Sequence, residues 1–424
     1  LALLTQFFPN YFLTIAGMVR WAFPLKRCSA HPKKLGLLVA VFTLGYICID
    51  RNIFFLDRVS SKLPRDILSV DSKYTGGSAK NADQKADLYH SGVDELHLSD
   101  LSKGVTEKEV ENMKQTVQYL TLDDIKDGKV ESNTKKFDGS SMCPEVEDNP
   151  NMKGPIPQAV LLIDNLKESE VASIHPELAP GGQWAPDDCQ PRHKVAIIIP
   201  YRDRQSHLTR LLYFLIPILK RQKLDFRFIV TEQWGNDLFN KGRIMNAAFR
   251  LAERLGTDCV IFHDVDMFPQ DDRNPYSCPP APRHLGAFVS NLGYQLWYKE
   301  IVGGALAISM ADYRTVNGYS NMYWAWGGED DDMGKRILSL NYTIERPNPV
   351  TGRYSMLKHV KRKRTAPKLI YKLLEIAEQR VATDGLNETD KWNVVKMMQR
   401  PLYYHIFVDV GEVPQEWRGN GKDS

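Results

Sequence analysis

The pattern of apolar and polar positions divides the chain at about Cys143. Downstream, Lys194-Val-Ala-Ile-Ile-Ile199 is a continuous apolar run ended by Pro200, which predicts a strand buried on both faces. Ser206 to Arg221 follows, with Leu208, Leu211, Leu212, Leu215 and Leu219 on one face, so a helix is expected there, kinked at Pro217. Phe226-Arg-Phe-Ile-Val230 reads as a second strand. Asp237 to Leu255 reads as a second helix, because Ile244, Ala247, Ala248, Leu251 and Leu255 recur at helical spacing. Cys259-Val-Ile-Phe262 is a third strand and runs straight into His263-Asp-Val-Asp266. Alternating strands and helices predict an α/β fold with a mostly parallel sheet and right-handed crossovers. Ligands of such sheets sit beyond the carboxyl ends of the strands. Pro200–Arg204 and Asp264–Asp266, far apart in sequence, are therefore expected at one edge.

Upstream the pattern changes. Residues 35–49, Leu35-Gly-Leu-Leu-Val-Ala-Val-Phe-Thr-Leu-Gly-Tyr-Ile-Cys-Ile49, carry no charge; Lys26, Arg27, Lys33 and Lys34 precede them and Asp50 follows. The run is short for a membrane span, though flanking residues or a thin bilayer accommodate it. The basic side belongs in the cytoplasm, which places the C-terminal bulk in the lumen. A cleaved signal peptide is the competing interpretation, but no small-x-small site follows closely. Residues 1–34 then form a cytoplasmic segment. Within it 1–24 stay open between a second membrane-associated segment and sequence upstream of the true start. Residues 50–142 are rich in Ser, Asp, Lys and Asn and poor in aromatics, so they are expected to form a largely disordered lumenal stem. A weak helix is expected within it near Thr106–Tyr119. Residues 143–424 are expected to form the folded domain that carries the chemistry, and seven of the eight tryptophans lie there, from Trp184 onward.

Composition adds exclusions. With 43% hydrophobic and 25% charged residues the chain is neither fibrous nor wholly disordered. Its 55 basic and 52 acidic side chains leave a net charge of +3, too little field for a dedicated nucleic-acid binder, so no nucleic-acid partner is expected. Six cysteines are too few for a disulfide scaffold. Cys143, Cys189, Cys259 and Cys278 lie beyond the apolar run, where an oxidising compartment lets them pair. Asn341-Tyr-Thr343 and Asn387-Glu-Thr389 are glycosylation sequons suited to the same side, at Asn341 and Asn387.

The chemistry-bearing residues form clusters. Asp264-Val-Asp266 sets two carboxylates at a strand end, where they can hold a divalent cation that neutralises a diphosphate. Tyr323-Trp-Ala-Trp-Gly-Gly-Glu-Asp-Asp-Asp332 joins tryptophans suited to a sugar face, glycines that admit close backbone approach, and four successive carboxylates. Met333, Ile337 and Leu338 suggest that the carboxylates open a helix, where acids are favoured by the helix dipole alone. That does not account for the aromatics upstream. Repulsion among the carboxylates raises one pKa, which suits a proton acceptor. Met356 and His359 lie three apart, ahead of the basic run Lys361-Arg-Lys-Arg364.

From about Cys143 to Gly411 the chain resembles the beta-1,4-galactosyltransferase family of Golgi type II membrane enzymes. The resemblance rests on Pro200-Tyr-Arg-Asp-Arg204, Phe239-Asn240, Asp264-Val-Asp266, Gly303-Gly304, Trp324-Ala-Trp-Gly-Gly-Glu-Asp-Asp-Asp332, Arg346-Pro-Asn348, Met356-x-x-His359 and Asp384-Gly-Leu-Asn387. It implies a GT-A fold and an inverting, Mn2+-dependent transfer from a UDP-sugar to a terminal N-acetylglucosamine. It also implies Asp266, Met356 and His359 as metal ligands, a set with a thioether that does not suit a hard-cation cage. Pro200, Arg202, Arg204, Phe239 and Val265 correspond to uridine and diphosphate contacts, and Asp264 and Gly304 to contacts near the ribose and donor sugar. Trp326 corresponds to a residue against donor and acceptor, and Glu329 to one beside the donor sugar. Asp330 corresponds to the catalytic base and Asp331 to an acceptor contact. The implied disulfides are Cys143–Cys189 and Cys259–Cys278. The segment after Met356 resembles a mobile loop that closes over the donor.

One departure bears on specificity. The family commonly carries tyrosine two residues before the Gly-Gly pair, where this chain has Ile301. Isoleucine opens space for an acetamido arm, which points to the N-acetylgalactosaminyl branch, with UDP-GalNAc as donor and GalNAc-beta-1,4-GlcNAc as product. A galactosyltransferase using UDP-Gal is the alternative, and Ile301 as ordinary core packing is the competing account. Two lesser departures are Ala325 between the tryptophans and Lys241-Gly-Arg243, where the family often has Arg-Ala-Lys. A catalytically silent carbohydrate-binding protein, or a membrane scaffold, need not keep the ligand and base residues, and both are present here.

Overall fold

The computed structural model describes residues 118–121, 125, 141–163, 165–357 and 366–418, all within one unit that begins at Asp87. The expected anchor at 35–49 and segment 1–34 lie outside the described residues. Among the described residues no helix is long and apolar enough to cross a membrane.

Two strand–helix–strand steps build the centre. After helix α1 (Glu168–Ile174), strand β2 (Lys194–Tyr201) leads to helix α2 (Gln205–Arg221) and strand β3 (Asp225–Gln233), which pairs parallel to β2. Helix α3 (Lys241–Arg254) then returns the chain to strand β4 (Cys259–His263), parallel to the other side of β2. The continuous apolar runs reflect burial on both faces. Val195, Ile197 and Ile199 pack with Leu208, Leu211, Leu212, Leu215 and Leu219 of α2. Ala196 and Ile198 face the opposite way, with Ile244, Ala247, Ala248 and Leu251 of α3. Each fully buried Ile or Leu here contributes about 1.5–3 kcal/mol. The chain thus turns to opposite sides of β2 after consecutive strands, the geometry that opens a crevice at the carboxyl edge.

The sheet is mixed rather than mostly parallel. Strand β1 (Gln118–Leu120), β6 (Arg283–His284), β8 (Ala305–Ser309), β10 (Asn393–Gln399) and β11 (Tyr404–Asp409) join it in the order β1-β10-β11-β3-β2-β4-β8-β6. Of the seven pairings only β11–β3, β3–β2 and β2–β4 are parallel. The C-terminal β10–β11 hairpin inserts β11 beside β3, and β8 lies antiparallel on β4 and leads into the short helix α4 (Met310–Thr315). These outer strands are connected without crossover helices, so antiparallel pairing is available to them.

Three local expectations change. Pro200 does not end β2: it pairs with Thr231 of β3, beyond the last residue matched to β4, where its missing N–H leaves no ladder position empty on that side. Helix α3 starts at Lys241 rather than Asp237, because Asn240 caps it, its side chain accepting from Arg243 N at 3.0 Å. Gln118 and Tyr119, expected in a weak helix of the stem, are instead strand residues paired with Gln399 and Met398. Helix α2 runs through Pro217.

A second, three-stranded sheet places the rest of the site. Strand β5 (Met267–Pro269) follows the Asp-Val-Asp turn and pairs antiparallel with β9 (Arg353–Met356), which also pairs with β7 (Phe288–Val289). Both implied disulfides, Cys143–Cys189 and Cys259–Cys278, are formed.

Candidate active site

Asp264 to Asp266 turn sharply at the carboxyl end of β4. The Asp264 N–H donates to the Gly304 carbonyl at 2.8 Å, tying this turn to the Gly-Gly pair that precedes β8. Below it, His263 is fully buried, and burial pushes its pKa down to about 4 against the backbone bond and charge of Asp264. The ring is therefore neutral. Its Nδ1 bonds the Asp264 carbonyl at 2.9 Å, its Nε2 the Tyr276 hydroxyl at 3.0 Å, and Tyr276 reaches the Tyr354 hydroxyl at 2.8 Å. Since Tyr354 lies on β9, this buried chain joins the aspartate turn to the strand that carries Met356.

Asp266 is 3% exposed, and its Oδ2 accepts from Arg204 Nη1 at 2.9 Å. The register opposes Met267 to Met356, and the Asp266 carbonyl accepts from Leu357 N at 2.9 Å. Asp266, in the turn before β5, and Met356, on the paired strand β9, are thus neighbours in the fold; His359 lies outside the described residues. The Met356 sulfur accepts from Asn291 Nδ2 at 3.0 Å, and a donor set of a nearly buried carboxylate and a thioether fits a borderline transition-metal ion better than a hard one. Among the described residues no group of three His, Cys, Asp or Glu side chains is arranged for a metal.

Helix α5 (Glu329–Ser339) opens with the four carboxylates in its first turn, and Gly328 caps it at a φ of 102°. A side chain at Gly328 would collide with the Tyr323 ring, its Cβ 2.6 Å from a ring carbon. The carboxylates separate by role. Asp332 turns inward and accepts from Tyr323 OH at 2.9 Å and from Arg336 and Arg380 at 2.5 Å each. Asp331 accepts from Tyr298 OH at 2.6 Å. Glu329 and Asp330 face Lys241, at the first position of α3.

Lys241 Nζ lies 3.0 Å from Asp264, 3.2 Å from Asp330 and 3.5 Å from Glu329. Burial disfavours its charge, but the three carboxylates outweigh that and hold its pKa well above the ordinary lysine value. Burial pushes Asp330 up to about 7; Lys241 opposes the rise, and the charges of Glu329 and Asp264 add to it. A carboxyl that titrates near neutrality suits a general base. Gly303 makes this placement possible, because a Cβ there would sit 2.9 Å from Asp330 Oδ2.

The remaining expected residues cluster around this centre. The Arg202 guanidinium lies 4.8 Å from the Phe239 ring centroid and donates to the Asp237 carbonyl at 2.9 Å. The Phe239 carbonyl accepts from Ala325 N at 2.7 Å, which links it to the tryptophan turn. Ala325 takes a left-handed φ of 68°. Trp324 is core, under Arg243, whereas Trp326 is 49% exposed. Pro200 and Val265 are buried beside the crevice, and Ile301 is half-buried two residues before Gly303. Asn341 is exposed in a turn. Asn387 is also exposed, but its amide donates to the Ala382 carbonyl at 3.0 Å. Lys241 and Tyr298 were not singled out as site residues from the sequence. Tyr298 has no motif of its own, Lys241 stands in the sequence only as a departure from the family pattern, and each is recognised by what it touches.

Residues 143–279 match the N-terminal region of glycosyl transferase group 7, and residues 283–360 match the N-terminal domain of galactosyltransferase. Over 274 residues the chain is 39% identical to beta-1,4-galactosyltransferase 1 of Mus musculus, covering 63% of this chain and 67% of that protein. Over 269 residues it is 42% identical to beta-1,4-galactosyltransferase 5 of Homo sapiens, covering 63% and 68%. The solved structure of Drosophila beta-1,4-galactosyltransferase 7 with manganese, UDP-Gal and xylobiose aligns at 25% identity and a TM-score of 0.47, covering 54% of this chain and 99% of that one. The family matches define a glycosyltransferase, and the mixed sheet with its Asp-x-Asp crevice fits the GT-A type that the resemblance implies. Within that class, the chain belongs to glycosyltransferase family 7, the beta-1,4-galactosyltransferase family.

Proposed function

We propose that the protein is an inverting, Mn2+-dependent beta-1,4-N-acetylgalactosaminyltransferase that moves GalNAc from UDP-GalNAc to the 4-hydroxyl of a terminal N-acetylglucosamine. The observation that carries the transferase reading is Asp330, a carboxylate titrating near 7 beside Lys241, Asp264 and the Gly-Gly pair. Asp330 removes the proton from the acceptor hydroxyl as its oxygen attacks the anomeric carbon. The bond from that carbon to the diphosphate oxygen breaks on the opposite face, UDP leaves with the electron pair, and an α-linked donor becomes a β product. Arg204 and Arg202 stand where the diphosphate and uridine of the donor are expected, and Glu329 beside the donor sugar. Trp326 offers an exposed face to donor and acceptor, and Asp331, fixed by Tyr298, offers an acceptor contact. Asp266, Met356 and His359 would hold the ion, which when bound neutralises the diphosphate charge.

The donor assignment rests on Ile301 in place of tyrosine. UDP-Gal is the second reading, favoured by the relatives, which are named galactosyltransferases. Asp330→Asn is expected to abolish transfer while retaining UDP-sugar binding; near-normal turnover rejects the base assignment. In competition between UDP-GalNAc and UDP-Gal with a GlcNAc glycoside acceptor and Mn2+, a clear preference for UDP-Gal overturns the donor assignment. The same reading places the protein as a single-pass type II protein of the Golgi membrane with its catalytic domain in the lumen. The two disulfides support an oxidising compartment.

A further inference from the structure

The donor assignment turns on one side chain, and what fixes that side chain is visible. Ile301 lies in the irregular segment from Lys299 to Gly303, which carries no sheet hydrogen bonds of its own. Alternate carbonyls of this segment are held by two side chains from elsewhere. Arg346 Nη2 donates to the Lys299 carbonyl at 3.0 Å and to the Ile301 carbonyl at 2.9 Å. His284 Nε2 donates to the Gly303 carbonyl at 2.7 Å. The Arg346 guanidinium is anchored in turn, its Nη1 donating to the carbonyls of Ile344 and Glu345 at 3.2 and 3.3 Å. His284 is fully buried on β6, where Arg283 and its own N–H bond Glu345. Between these grips the Glu300 carbonyl packs on helix α5 so closely that a Cβ on Gly334 would lie 1.7 Å from it.

We infer that Arg346, with His284, is a positioning residue for donor choice: by gripping the carbonyls of Lys299, Ile301 and Gly303 it sets the direction of the Ile301 side chain. In an extended segment the peptide planes fix the side-chain directions. Releasing the carbonyl of Ile301 frees its peptide to rotate and its side chain to leave the position where it faces the donor. The planar fork of arginine anchors one nitrogen on the Ile344 and Glu345 carbonyls while it gives the other to Lys299 and Ile301, a span that the single ammonium of a lysine does not reproduce. Burial leaves the His284 ring neutral, with one N–H to give, and Gly303 takes it. The same grip keeps Gly303 against Asp330, so the specificity wall and the base share one support.

The inference rests on the donor-wall reading of Ile301, and the experiment separates the two. The ratio of kcat/KM for UDP-GalNAc to that for UDP-Gal is measured for the wild type, Ile301→Tyr and Arg346→Lys, together with UDP affinity and amide hydrogen exchange of residues 299–304. In Arg346→Lys the ratio is expected to move toward one by about tenfold, the scale of a lost charge-assisted hydrogen bond. Exchange in 299–304 rises and UDP affinity is unchanged. If the ratio and the exchange stay put in Arg346→Lys while Ile301→Tyr shifts the ratio, the inference is overturned and the donor-wall reading stands. A ratio that moves in neither variant overturns both. Should Arg346→Lys not fold, His284→Phe, which removes only the bond to Gly303, carries the same expectation.

Discussion

Replacing Lys241 with methionine removes a charge while keeping a side chain of similar length. Its ammonium sits 3.2 Å from Asp330, with Asp264 and Glu329 also within 3.5 Å. At an effective dielectric of about 20, a unit charge at that distance is worth about 5 kcal/mol, or about 4 pKa units. The Asp330 side chain is 25% exposed, so water screens part of this, and we expect a rise of about 2 units from the starting value of about 7. A base must be ionised to accept a proton. Activity therefore falls below the pKa, and the acid limb of kcat/KM moves from about pH 7 to about pH 9. At pH 7 the ionised fraction drops from about one half to about one hundredth, a loss of about 50-fold that recovers as pH rises. Lys241→Arg keeps the charge and should leave the limb where it was. A pH–rate profile from pH 5.5 to 9.5, with thermal melts as a control for folding, decides the matter. An unmoved limb in Lys241→Met, or a deficit equal at every pH, refutes the coupling between this lysine and the base.

Three further outcomes follow from close contacts. Gly303→Ala places a Cβ 2.9 Å from Asp330 Oδ2, so the carboxylate must shift; kcat should fall at least about tenfold while UDP affinity, measured by calorimetry, holds. Tyr298→Phe deletes the 2.6 Å bond to Asp331, and steady-state kinetics should show acceptor KM rising about five- to tenfold with donor KM unchanged. Replacing Cys259 and Cys278 together by serine opens a loop spanning 19 positions, which should lower stability by about 3 kcal/mol in urea unfolding.

The centre of the fold was legible because β2, β3 and β4 are buried on both faces, and continuous burial writes a continuous apolar run. The outer strands were not. Nothing local in Tyr404–Asp409 says that it will insert beside Asp225–Gln233, because that pairing is set by the whole sheet rather than by neighbouring residues. The same limit hid what Arg346, part of the Arg346-Pro-Asn348 motif, holds. Its hydrogen bonds go to carbonyls 45 and 47 positions upstream, and no periodicity records such a bond.

Lys241 is a different case, because its role did leave a local trace. A cation at the first position of a helix stands against the positive end of the helix dipole, and α3 has no acidic residue in its first turn to offset it. Helix α5 carries the opposite excess, four carboxylates in one turn, more than the dipole alone requires. Each helix start is electrostatically incomplete. The fold brings both starts to Asp264, where the lysine of one neutralises the acids of the other. The balance is partial by design of charge, one ammonium against three carboxylates, and the deficit leaves Asp330 able to hold or release a proton near neutral pH. An unpaired cation at one helix start and surplus acids at another are thus a joint signal in sequence, readable once Asn240 is recognised as the cap that puts Lys241 first.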